Sequence, residues 1–458
     1  MLRKNFIDRK REINFLRESY GKKGLEFIVV SGRRRTGKSR LLKEFEKNKD
    51  CISLLCEDKN WKHNLAKFNK VIARHYSIPN PNFKTFNECF GYIAAEKQKG
   101  KLLIIIDEFS YLIKKSSVVA EFQTIVDETL AEKNAMLVLS GSAVSMMKKR
   151  VLGRKSPLYG RTTGQIFLQP LKFKHLLEWF NKTPLEDVVK IFGVCDGIPK
   201  YLEFFDGKNP EKEIIQNLFN PNSFLFREPK SLLEEELREP ETYFQILEAI
   251  SMGHTKVVEI ANYCYMNAKD MSSYLSILID LGFVKKEKQV TAKKRKRGIY
   301  KVKDQFFKSW FRFVSTYFEE INNWETGSAI NEFKKGFNQY LGTVFEKVAT
   351  EAITELIKQK KVPEFTKIGK WWHKDKEIDI LALNEHTKEI LFCECKWKNK
   401  VNAERALKEL KEKAAFVQWH NEKRKEHYAV FAKNFKKKIK EKNTHCFDLK
   451  DLEKAFKK

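Results

Sequence analysis

The chain has 458 residues, of which 42% are hydrophobic and 33% are charged, and its net charge is +29. This hydrophobic fraction excludes a disordered chain, and the length predicts roughly two to four domains. The charge fits a polyanionic partner such as nucleic acid, and it fits a merely soluble protein from a lysine-rich proteome equally well.

The cysteines and the apolar runs bear on the cellular compartment. Eight cysteines are scattered along the chain without the paired spacing of a zinc site, and a reducing cytoplasm suits them. The N-terminus, MLRKNFIDRK, has no apolar signal core, and runs such as residues 102–106 are too short to span a membrane. We therefore expect a cytoplasmic protein without a membrane partner.

The first predicted helix follows a short segment that contains Phe6. Its apolar positions, among them Ile13 and Leu16, recur among charged residues at helical spacing. Phe6, Arg9 and Glu12 form an F-x-x-R-x-x-E box, which is similar to a box that packs near the adenine in many ATPases of the AAA and related classes. A solvated helix face is the alternative interpretation.

Residues 27–39, FIVVSGRRRTGKS, combine an apolar run, a loop bounded by glycines and the start of a helical pattern. This order predicts a phosphate-binding loop, because backbone N–H groups of the loop and of the helix start can surround a polyphosphate. A chance glycine turn is the alternative. We predict that ATP is bound by Gly32, Arg33, Arg34, Arg35, Thr36, Gly37, Lys38 and Ser39.

Two side chains of this loop have specific predicted roles. Lys38 would reach the β- and γ-phosphates, and Ser39 would bind Mg²⁺. The three consecutive arginines occupy variable loop positions, where the backbone rather than the side chain binds phosphate. We assign them no separate role beyond a contribution to the positive field.

Residues 101–108, KLLIIIDE, predict a strand that is buried on both faces and ends in two carboxylates. Parallel α/β sheets bind their ligands at this edge. Asp107 would bind Mg²⁺, directly or through water, and Glu108 would act as the general base toward the attacking water. An ordinary strand end is the alternative.

Two further candidates for the nucleotide site follow along the chain. Residues 135–139 predict a third buried strand, and Ser140 or Ser142 after it could contact the γ-phosphate or the lytic water, unless these serines only cap a turn. We choose Ser142 for the site. Arg161, in the turn PLYGR, would sense or complete the site in cis or in trans, with a plain surface arginine as the alternative.

Residues 168–205 predict helices and include DGIPKYL, whose Gly-x-Pro turn favours a structural role over ligand contact. The set FIVVSGRRRTGKS, LLIIIDEF, LSGS, PLYGR and DGIPKYL resembles the archaeal-type ATPases, which are P-loop proteins close to the STAND and AAA-like groups. The resemblance implies an α/β fold, with a P-loop NTPase core built on a parallel sheet at residues 1–165 and a helical lid at 166–235. It also implies a switch-like ATPase with a C-terminal output region.

Residues 236–325 carry three helical patterns followed by two strand patterns, which predict a winged helix-turn-helix. A duplex phosphate backbone could be bound at its wing, where the basic residues are Lys293, Lys294, Arg295, Lys296 and Arg297. A module that faces another protein, or a lever that responds to the nucleotide state, is the alternative. The aromatic residues between 306 and 318 indicate a helix docked in a core rather than a platform for base stacking.

The last third of the chain predicts one long helix that carries Glu346, followed by two strands. Because residues two apart in a strand face the same side, Glu394 and Lys396 would point together, with Asp379 beside them on the neighbouring strand. Two carboxylates and a lysine gathered in this way suit metal-assisted cleavage of a phosphodiester. A chance E-x-K in a sequence rich in Glu and Lys is the alternative.

Each residue of this group has a predicted role. Asp379, Glu394 and the backbone carbonyl of Cys395 could bind Mg²⁺. Lys396 could stabilise or orient the nucleophile, and Glu346 could add a carboxylate from the helix. The strongly basic C-terminal tail lies close to these residues in sequence, and it favours nucleic acid as the polyanionic partner.

The order helix-Glu, strand-Asp, strand-Glu-x-Lys resembles the PD-(D/E)xK restriction-endonuclease-like fold. The pieces GKWWHKDKEIDIL and FCECKW also resemble the domain of unknown function that follows the archaeal ATPases. The resemblance implies an α/β endonuclease-like domain at residues 326–458. Ile378-Asp379 stands where the family's literal Pro-Asp would be, which weakens the likeness modestly.

These patterns support one leading hypothesis and one alternative. In the first, an ATPase that uses ATP and Mg²⁺ controls a C-terminal domain that binds, and could cleave, DNA. In the second, the protein is a nucleotide-dependent regulatory switch or scaffold, and its nuclease-like domain is catalytically silent. The sequence leaves open whether the chain forms a homo-oligomer.

Overall fold

The computed structural model describes residues 6–96, 100–292 and 298–457. The chain divides into two compact units, Met1–Pro170 and Leu171–Lys458. The finer domain boundaries after residues 165, 235 and 325 stay predictions. The basic residues Lys293, Lys294, Arg295, Lys296 and Arg297 lie outside the described residues, so their position at a wing also stays a prediction.

Strands and helices alternate in the first unit. Its helices are α1 (Lys10–Gly21), α2 (Lys38–Glu46), α3 (Trp61–Tyr76), α4 (Phe86–Ala95), α5 (Ser116–Thr124) and α6 (Val144–Arg150). Its strands are β1 (Glu26–Ser31), β2 (Cys51–Leu55), β3 (Leu102–Asp107), β4 (Ala135–Gly141) and β5 (Gly164–Phe167). A 3₁₀ segment covers Phe109–Lys114, and a π-helical segment covers Ile125–Thr129.

The five strands of the first unit form one parallel sheet in the order β2-β3-β4-β1-β5. Strands β1, β3 and β4 are buried along their whole length. Successive side chains enter two different cores: Phe27 and Val29 lie in one, and Ile28 and Val30 in the other. This covered sheet confirms the predicted α/β fold, and it brings the carboxyl ends of three buried strands to one edge.

The second unit begins with helices and a short hairpin. Its first elements are α7 (Phe173–Trp179), α8 (Leu185–Cys195), α9 (Pro199–Leu202), α10 (Pro210–Leu218), α11 (Phe224–Glu236), α12 (Pro240–Ser251), α13 (Val257–Tyr263), α14 (Ala268–Asp280), β6 (Val284–Glu287) and β7 (Ile299–Val302). Next come α15 (Gln305–Phe313), a 3₁₀ turn at Ser315–Tyr317, α16 (Phe318–Asn322) and the long α17 (Gly327–Lys358).

A second sheet follows in sequence. Its region contains β8 (Lys367–His373), β9 (Lys376–Asn384), β10 (Glu389–Lys396), β11 (Val401–Asn402), α18 (Ala403–Ala414), β12 (Lys425–Ala432), β13 (Phe435–Lys437), β14 (Thr444–Phe447) and α19 (Leu449–Lys457). Over the described ranges of the whole chain, no helix is both long enough and apolar enough to cross a membrane.

The five-stranded sheet of the second unit is mixed, in the order β14-β12-β10-β9-β8. Strands β8, β9 and β10 are antiparallel, whereas β10, β12 and β14 run parallel. Two irregularities flank Asp379 on β9. The β9–β10 ladder ends at the pair Ile380–Cys393, and the β8–β9 register shifts between Gly369 and Trp371. Regular pairing is therefore interrupted on both sides of Asp379, by the end of one ladder and by a bulge in the other.

Helices α12, α13 and α14 and the antiparallel hairpin β6–β7 follow the predicted order of elements. Their assignment as a winged helix stays a prediction. Beyond β6, the N–H of Val290 donates to the carbonyl of Lys370 at 3.0 Å, and Gln289 Nε2 donates to the carbonyl of Trp372 at 2.5 Å. The chain after β6 thus covers edge strand β8. On α15, Phe306 and Trp310 are fully buried, which confirms the predicted core helix.

The Gly-x-Pro turn connects three parts of the second unit. A Cβ on Gly197 would lie 1.8 Å from the carbonyl oxygen of Leu171, so only glycine fits there. The buried Asp196 carboxylate accepts hydrogen bonds from the N–H of Gln305 at 3.2 Å and from Lys347 Nζ at 2.8 and 3.0 Å. Asp196 therefore joins this turn to the start of α15 and to the middle of α17, which is a structural role.

Candidate functional site

Residues 32–39, the phosphate loop, connect the end of β1 to the start of α2. Gly37 has φ 92°, a left-handed conformation that glycine adopts without steric cost. Arg35, in the same loop, also has a positive φ of 70°. A Cβ on Gly32 would lie 2.7 Å from the carbonyl oxygen of Leu168. Both glycines of the predicted motif are therefore required by the backbone, one by its conformation and one by close approach.

Lys38 is buried inside this loop. Its Nζ donates to the carbonyl oxygens of Gly32 at 2.9 Å and of Arg33 at 3.2 Å. Thr36 Oγ1 also donates to the carbonyl of Arg33, at 2.6 Å. These bonds fix the curvature of the loop around the ammonium group. Ser39, the predicted Mg²⁺ ligand, is the second residue of α2 and is partly exposed.

Arg9 contacts the phosphate loop from the segment before α1. Its guanidinium donates to the carbonyls of Thr36 at 3.3 Å and of Gln169 at 2.7 Å, and it pairs with Glu12 at 3.5 Å. Burial lowers the pKa of Arg9, against the opposing effect of Glu12 and Asp8. The sequence pattern indicated a position near adenine, whereas the contacts observed here support the loop itself.

The two carboxylates after β3 lie at the carboxyl edge of the sheet, as predicted. The buried Asp107 accepts from the N–H of Glu108 at 3.0 Å. Glu108 has φ 54°, and its carboxylate accepts from Ser142 Oγ at 2.6 Å and from the N–H of Ser142 at 3.2 Å. Ser142, predicted to contact phosphate or water, thus contacts the predicted general base.

Arg161 is engaged by an acidic residue of the first unit. Its guanidinium forms a two-pronged ion pair with Asp127, at 2.6 and 2.7 Å, and it donates to the carbonyl of Pro157 at 2.7 Å. The bond to Arg161 lowers the pKa of Asp127. A role for Arg161 at the nucleotide stays a prediction, and it would require this pair to open.

In the second unit, Asp379 and Glu394 lie where β9 and β10 separate. The register of the ladder would pair them directly, but it ends one residue earlier at Ile380–Cys393. Asp379 Oδ2 instead accepts from the N–H of Cys395 at 2.7 Å. The separation of the strands therefore leaves two carboxylates side by side, as the period-two pattern predicted.

Both carboxylate oxygens of Glu394 are bound by lysines. Lys396 Nζ lies 2.6 Å from Oε1, and Lys413 Nζ, from α18, lies 2.8 Å from Oε2. The Glu394 side chain is only 5% exposed, so its charge is neutralised within the protein rather than by water. The ion pair confirms that Glu394 and Lys396 point together.

Glu346, on α17, lies at the other side of Asp379. It pairs with Lys370, which also binds Glu377 at 3.0 Å. Lys370 occupies the register shift of β8, opposite Asp379 and Ile380. Although burial opposes it, the charge of Glu346 raises the pKa of Lys370 above its usual range. We call Glu346, Asp379 and Glu394 the carboxylate cluster.

The carboxylates of this cluster affect the pKa of Asp379. Burial, followed by the charges of Glu346 and Glu394, raises the pKa of Asp379 to about 7. A cation near these oxygens would relieve that repulsion, and carboxylate and carbonyl oxygens suit Mg²⁺. Among residues 6–96, 100–292 and 298–457, however, no set of three His, Cys, Asp or Glu side chains is arranged to hold a metal ion.

Two basic residues near the carboxylate cluster were not found from the sequence. Lys370 depends on a register shift, and Lys413 depends on the packing of α18 against the sheet. Each role is set by long-range packing, for which the local sequence carries no signal.

Two family models match the chain. Residues 6–205 match an ATPase domain predominantly from Archaea, and residues 310–413 match a domain of archaeal and bacterial proteins of unknown function. The Methanocaldococcus jannaschii protein MJECL04 is 39% identical over 462 residues, covering 98% of this chain and all of that protein. The ATP-binding protein MJ0423 of the same organism is 41% identical over 44 residues, which cover 10% of this chain and 75% of that protein.

Similar solved structures include two archaeal proteins. The Walker-type ATPase PABY2304 of Pyrococcus abyssi is 23% identical with a TM-score of 0.49, and the match covers 68% of this chain and 97% of that one. The Aeropyrum pernix ORC2 protein is 14% identical with a TM-score of 0.43, covering 72% and 97% respectively.

Proposed function

We propose a function from the premise that this chain belongs to the family of MJECL04 and carries an archaeal-type ATPase domain at residues 6–205. In this proposal it is a cytoplasmic ATPase whose nucleotide state controls a DNA-binding, nuclease-like C-terminal domain. The observation that carries the proposal is the place where β9 and β10 separate, which we call the fork. There Asp379 and Glu394 lie side by side with Lys396. Its net charge of +29 supports DNA as the partner.

At the nucleotide site, the phosphate loop would bind ATP through backbone N–H groups and Lys38. Bound Mg²⁺ would offset charge on the β- and γ-phosphates, with Ser39 and Asp107 as its protein ligands. Lys38 Nζ donates to the carbonyls of Gly32 and Arg33, which hold the ammonium group inside the loop where the phosphates would lie. Glu108 would accept the proton of the attacking water, and Ser142 orients its carboxylate.

At the C-terminal site, the carboxylate cluster and its lysines would act on a phosphodiester. The donor set of Asp379, Glu394 and the Cys395 carbonyl fits Mg²⁺, which would supply Lewis-acid activation of water. Lys396 would leave Glu394 and orient the nucleophile or the scissile phosphate. Glu346 would hold Lys370 beside Asp379.

The alternative is a nucleotide-dependent switch with a silent C-terminal domain. It is favoured by one observation: lysines bind both oxygens of Glu394, which leaves this carboxylate neutralised without a metal. In that case the domain would bind DNA or protein without cleaving it.

A metal-dependent cleavage assay separates the two proposals. Plasmid, branched and single-stranded DNA would be incubated with the protein in Mg²⁺ or Mn²⁺, with and without ATP. We expect cleavage by the wild type, loss of cleavage in Lys396→Ala and no loss in Lys398→Ala, which alters an exposed lysine two residues away. Equal inactivity of the wild type and Lys396→Ala on every substrate would refute nuclease function and leave the switch.

Control by the nucleotide has its own test. Limited proteolysis between residues 205 and 240 is expected to change when ATP is added to the wild type. The change should disappear in Lys38→Ala, because the loop then lacks its phosphate-binding ammonium. If ATP alters nothing in the wild type, the nucleotide does not control the C-terminal domain.

A further inference from the structure

Lys308 and three further lysines, from four elements of the second unit, form a group in which one lysine pairs with Glu346. They are Lys285 of β6, Lys308 of α15, Lys347 of α17 and Lys370 of β8, and we call them the basic cluster. The charge of Lys308 interacts with each of the other three and with Glu346. Like charges placed together raise the free energy of any member that lacks a carboxylate partner.

Hydrogen bonds of the fold hold these elements together. Asp196 binds both the first N–H of α15, on Gln305, and Lys347 of α17. The chain after β6 is bound to β8 through the N–H of Val290 and the carbonyl of Lys370, at 3.0 Å. These bonds join α15 to α17 and the chain after β6 to β8, which are the elements that carry or adjoin the four lysines.

Three of the four lysines have a carboxylate partner. Lys285 pairs with Glu287, Lys347 with Asp196, and Lys370 with Glu346. Lys308 differs, because its ammonium makes no hydrogen bond or ion pair with any residue that the structure describes. A half-buried ammonium without a counter-charge is costly to the folded protein.

The pKa of Lys308 is consistent with an ammonium group that lacks a counter-charge. Burial, followed by the charges of Lys285 and Lys347, lowers the pKa of Lys308 to about 8. Glu346 opposes this effect without cancelling it. A group that destabilises the fold and is nevertheless held in position is typical of a binding site.

We infer that Lys308 is the centre of a phosphate-binding site formed by the basic cluster beside Glu346. Lysine suits this ligand, because its ammonium is a compact charge that binds phosphate oxygens without fixed geometry. The ligand is a phosphate group, either of a nucleic-acid backbone or of a free polyphosphate. The inference rests on the proposed function only in expecting the nucleic acid, whose next phosphates would then lie at the carboxylate cluster.

Binding measurements with one variant and one control test this site. Lys308→Met keeps the length of the side chain and removes its charge, and Lys335→Met does the same at an exposed position of α17. We expect Lys308→Met to weaken binding of a 30-base-pair duplex about tenfold and to reduce the slope of log affinity against log salt by about one. Lys335→Met should leave both near the wild-type values.

Thermal unfolding of the same variants separates binding from a structural role. Since the Lys308 ammonium has no ion-pair partner among the described residues, Lys308→Met should melt at a higher temperature than the wild type while it binds the duplex more weakly. A structural lysine would give a lower melting temperature. If Lys308→Met changes neither duplex affinity nor salt slope more than Lys335→Met does, the inference is wrong.

Chemical labelling tests the wild-type protein without any variant. With its low pKa, Lys308 should react with an acylating reagent at pH 8 faster than exposed lysines do, as measured by mass spectrometry of peptides. Protection of Lys308 by duplex alone assigns the site to nucleic acid, and protection by pyrophosphate as well assigns it to free phosphate. Protection by neither ligand refutes the site.

The outcome is independent of the cleavage assay. Protection of Lys308 by duplex, in a protein that cuts no DNA, would keep the phosphate site and remove the nuclease function. Cleavage that continues in a protein whose Lys308 is never protected would do the reverse.

Discussion

The phosphate loop and the carboxylate cluster both hold a lysine, but they hold it in opposite ways. Lys38 donates to the backbone carbonyls of Gly32 and Arg33, which position its ammonium group inside the loop. Lys396 and Lys413 bond to the buried carboxylate of Glu394, so their charges are already balanced. The first lysine is held by the backbone of its own loop, whereas Lys396 would have to leave Glu394 before it could bind an anion.

The two sites also differ in how many segments of the chain form them. The phosphate loop is made by one continuous segment between a strand and a helix. The carboxylate cluster takes Glu346 from a helix and Asp379 and Glu394 from two strands, and lysines from two further elements neutralise it. A change at one residue should therefore act on chemistry in the loop and on stability in the cluster.

The largest effect is expected for Lys38→Met. Loss of the ammonium that the loop surrounds removes the group that would stabilise charge on the γ-phosphate, and we expect ATP hydrolysis to fall about 10²–10³-fold. Lys43→Met, an exposed position of the same helix, is the control and should hydrolyse ATP normally. Hydrolysis by Lys38→Met within twofold of the wild type would contradict the assignment of this loop.

Glu394→Gln is the matching change in the carboxylate cluster. It leaves two partly buried ammonium groups without their shared counter-charge, which should lower the free energy of unfolding by about 2–4 kcal/mol. Glu409→Gln, which alters an exposed partner of Arg405, is the control and should cost less than about 1 kcal/mol. Urea denaturation of both variants measures the difference, and equal losses would mean that the lysines do not depend on Glu394.

Asp379→Asn should stabilise the protein in a pH-dependent way. The folded state raises the pKa of Asp379 from 3.8 to about 7, so it holds a proton that the unfolded chain has already released between those values. Stability is therefore lost as the pH rises through this range. The variant stays neutral, and we expect it to be about 1–3 kcal/mol more stable than the wild type at pH 8.

The control for Asp379→Asn is the same stability comparison with the wild type, repeated at low pH. Near pH 4 the wild-type carboxyl is protonated when folded, so the difference between the two proteins should largely disappear in thermal or urea unfolding. A stability advantage that is the same at pH 4 and pH 8 would mean that ionisation of Asp379 is not its source.

The smallest effect is expected for Ser142→Ala. This variant loses the hydroxyl that donates to Glu108 at 2.6 Å but keeps the backbone N–H that also donates to it. We expect the rate of ATP hydrolysis to fall about three- to tenfold, as fits the loss of one hydrogen bond to a charged group. Ser145→Ala, on the next helix, is the control, and a loss of hydrolysis well beyond tenfold in Ser142→Ala would contradict this limited role.

The sequence predicted those parts of the sites that depend on local geometry. Gly32, Gly37 and Lys38 follow from one strand–loop–helix segment. Glu394 and Lys396 follow from the period of a strand. The fork that brings Asp379 to Glu394 was anticipated only as adjacency of two strands, because the end of a ladder is set by side-chain and backbone bonding at that point.

Other features could not be predicted, for physical reasons. Arg161 was located in a turn, but its partner Asp127 lies in a π-helical segment whose side chains do not follow the usual helical spacing. Lys308 appeared only as part of an aromatic helix, and its environment depends on contacts among β6, α17 and β8. Such environments are created by packing of distant segments.

The bond from the N–H of Cys395 to Asp379 Oδ2 has a spectroscopic consequence. That amide donates to a titrating side chain rather than to a neighbouring strand, so its NMR chemical shift and its hydrogen-exchange rate follow the charge of one carboxyl group. A proton, a metal ion or a nucleic acid that reaches Asp379 would each leave a different signature on this single resonance. The Cys395 amide thus reports whether a ligand is bound where β9 and β10 separate.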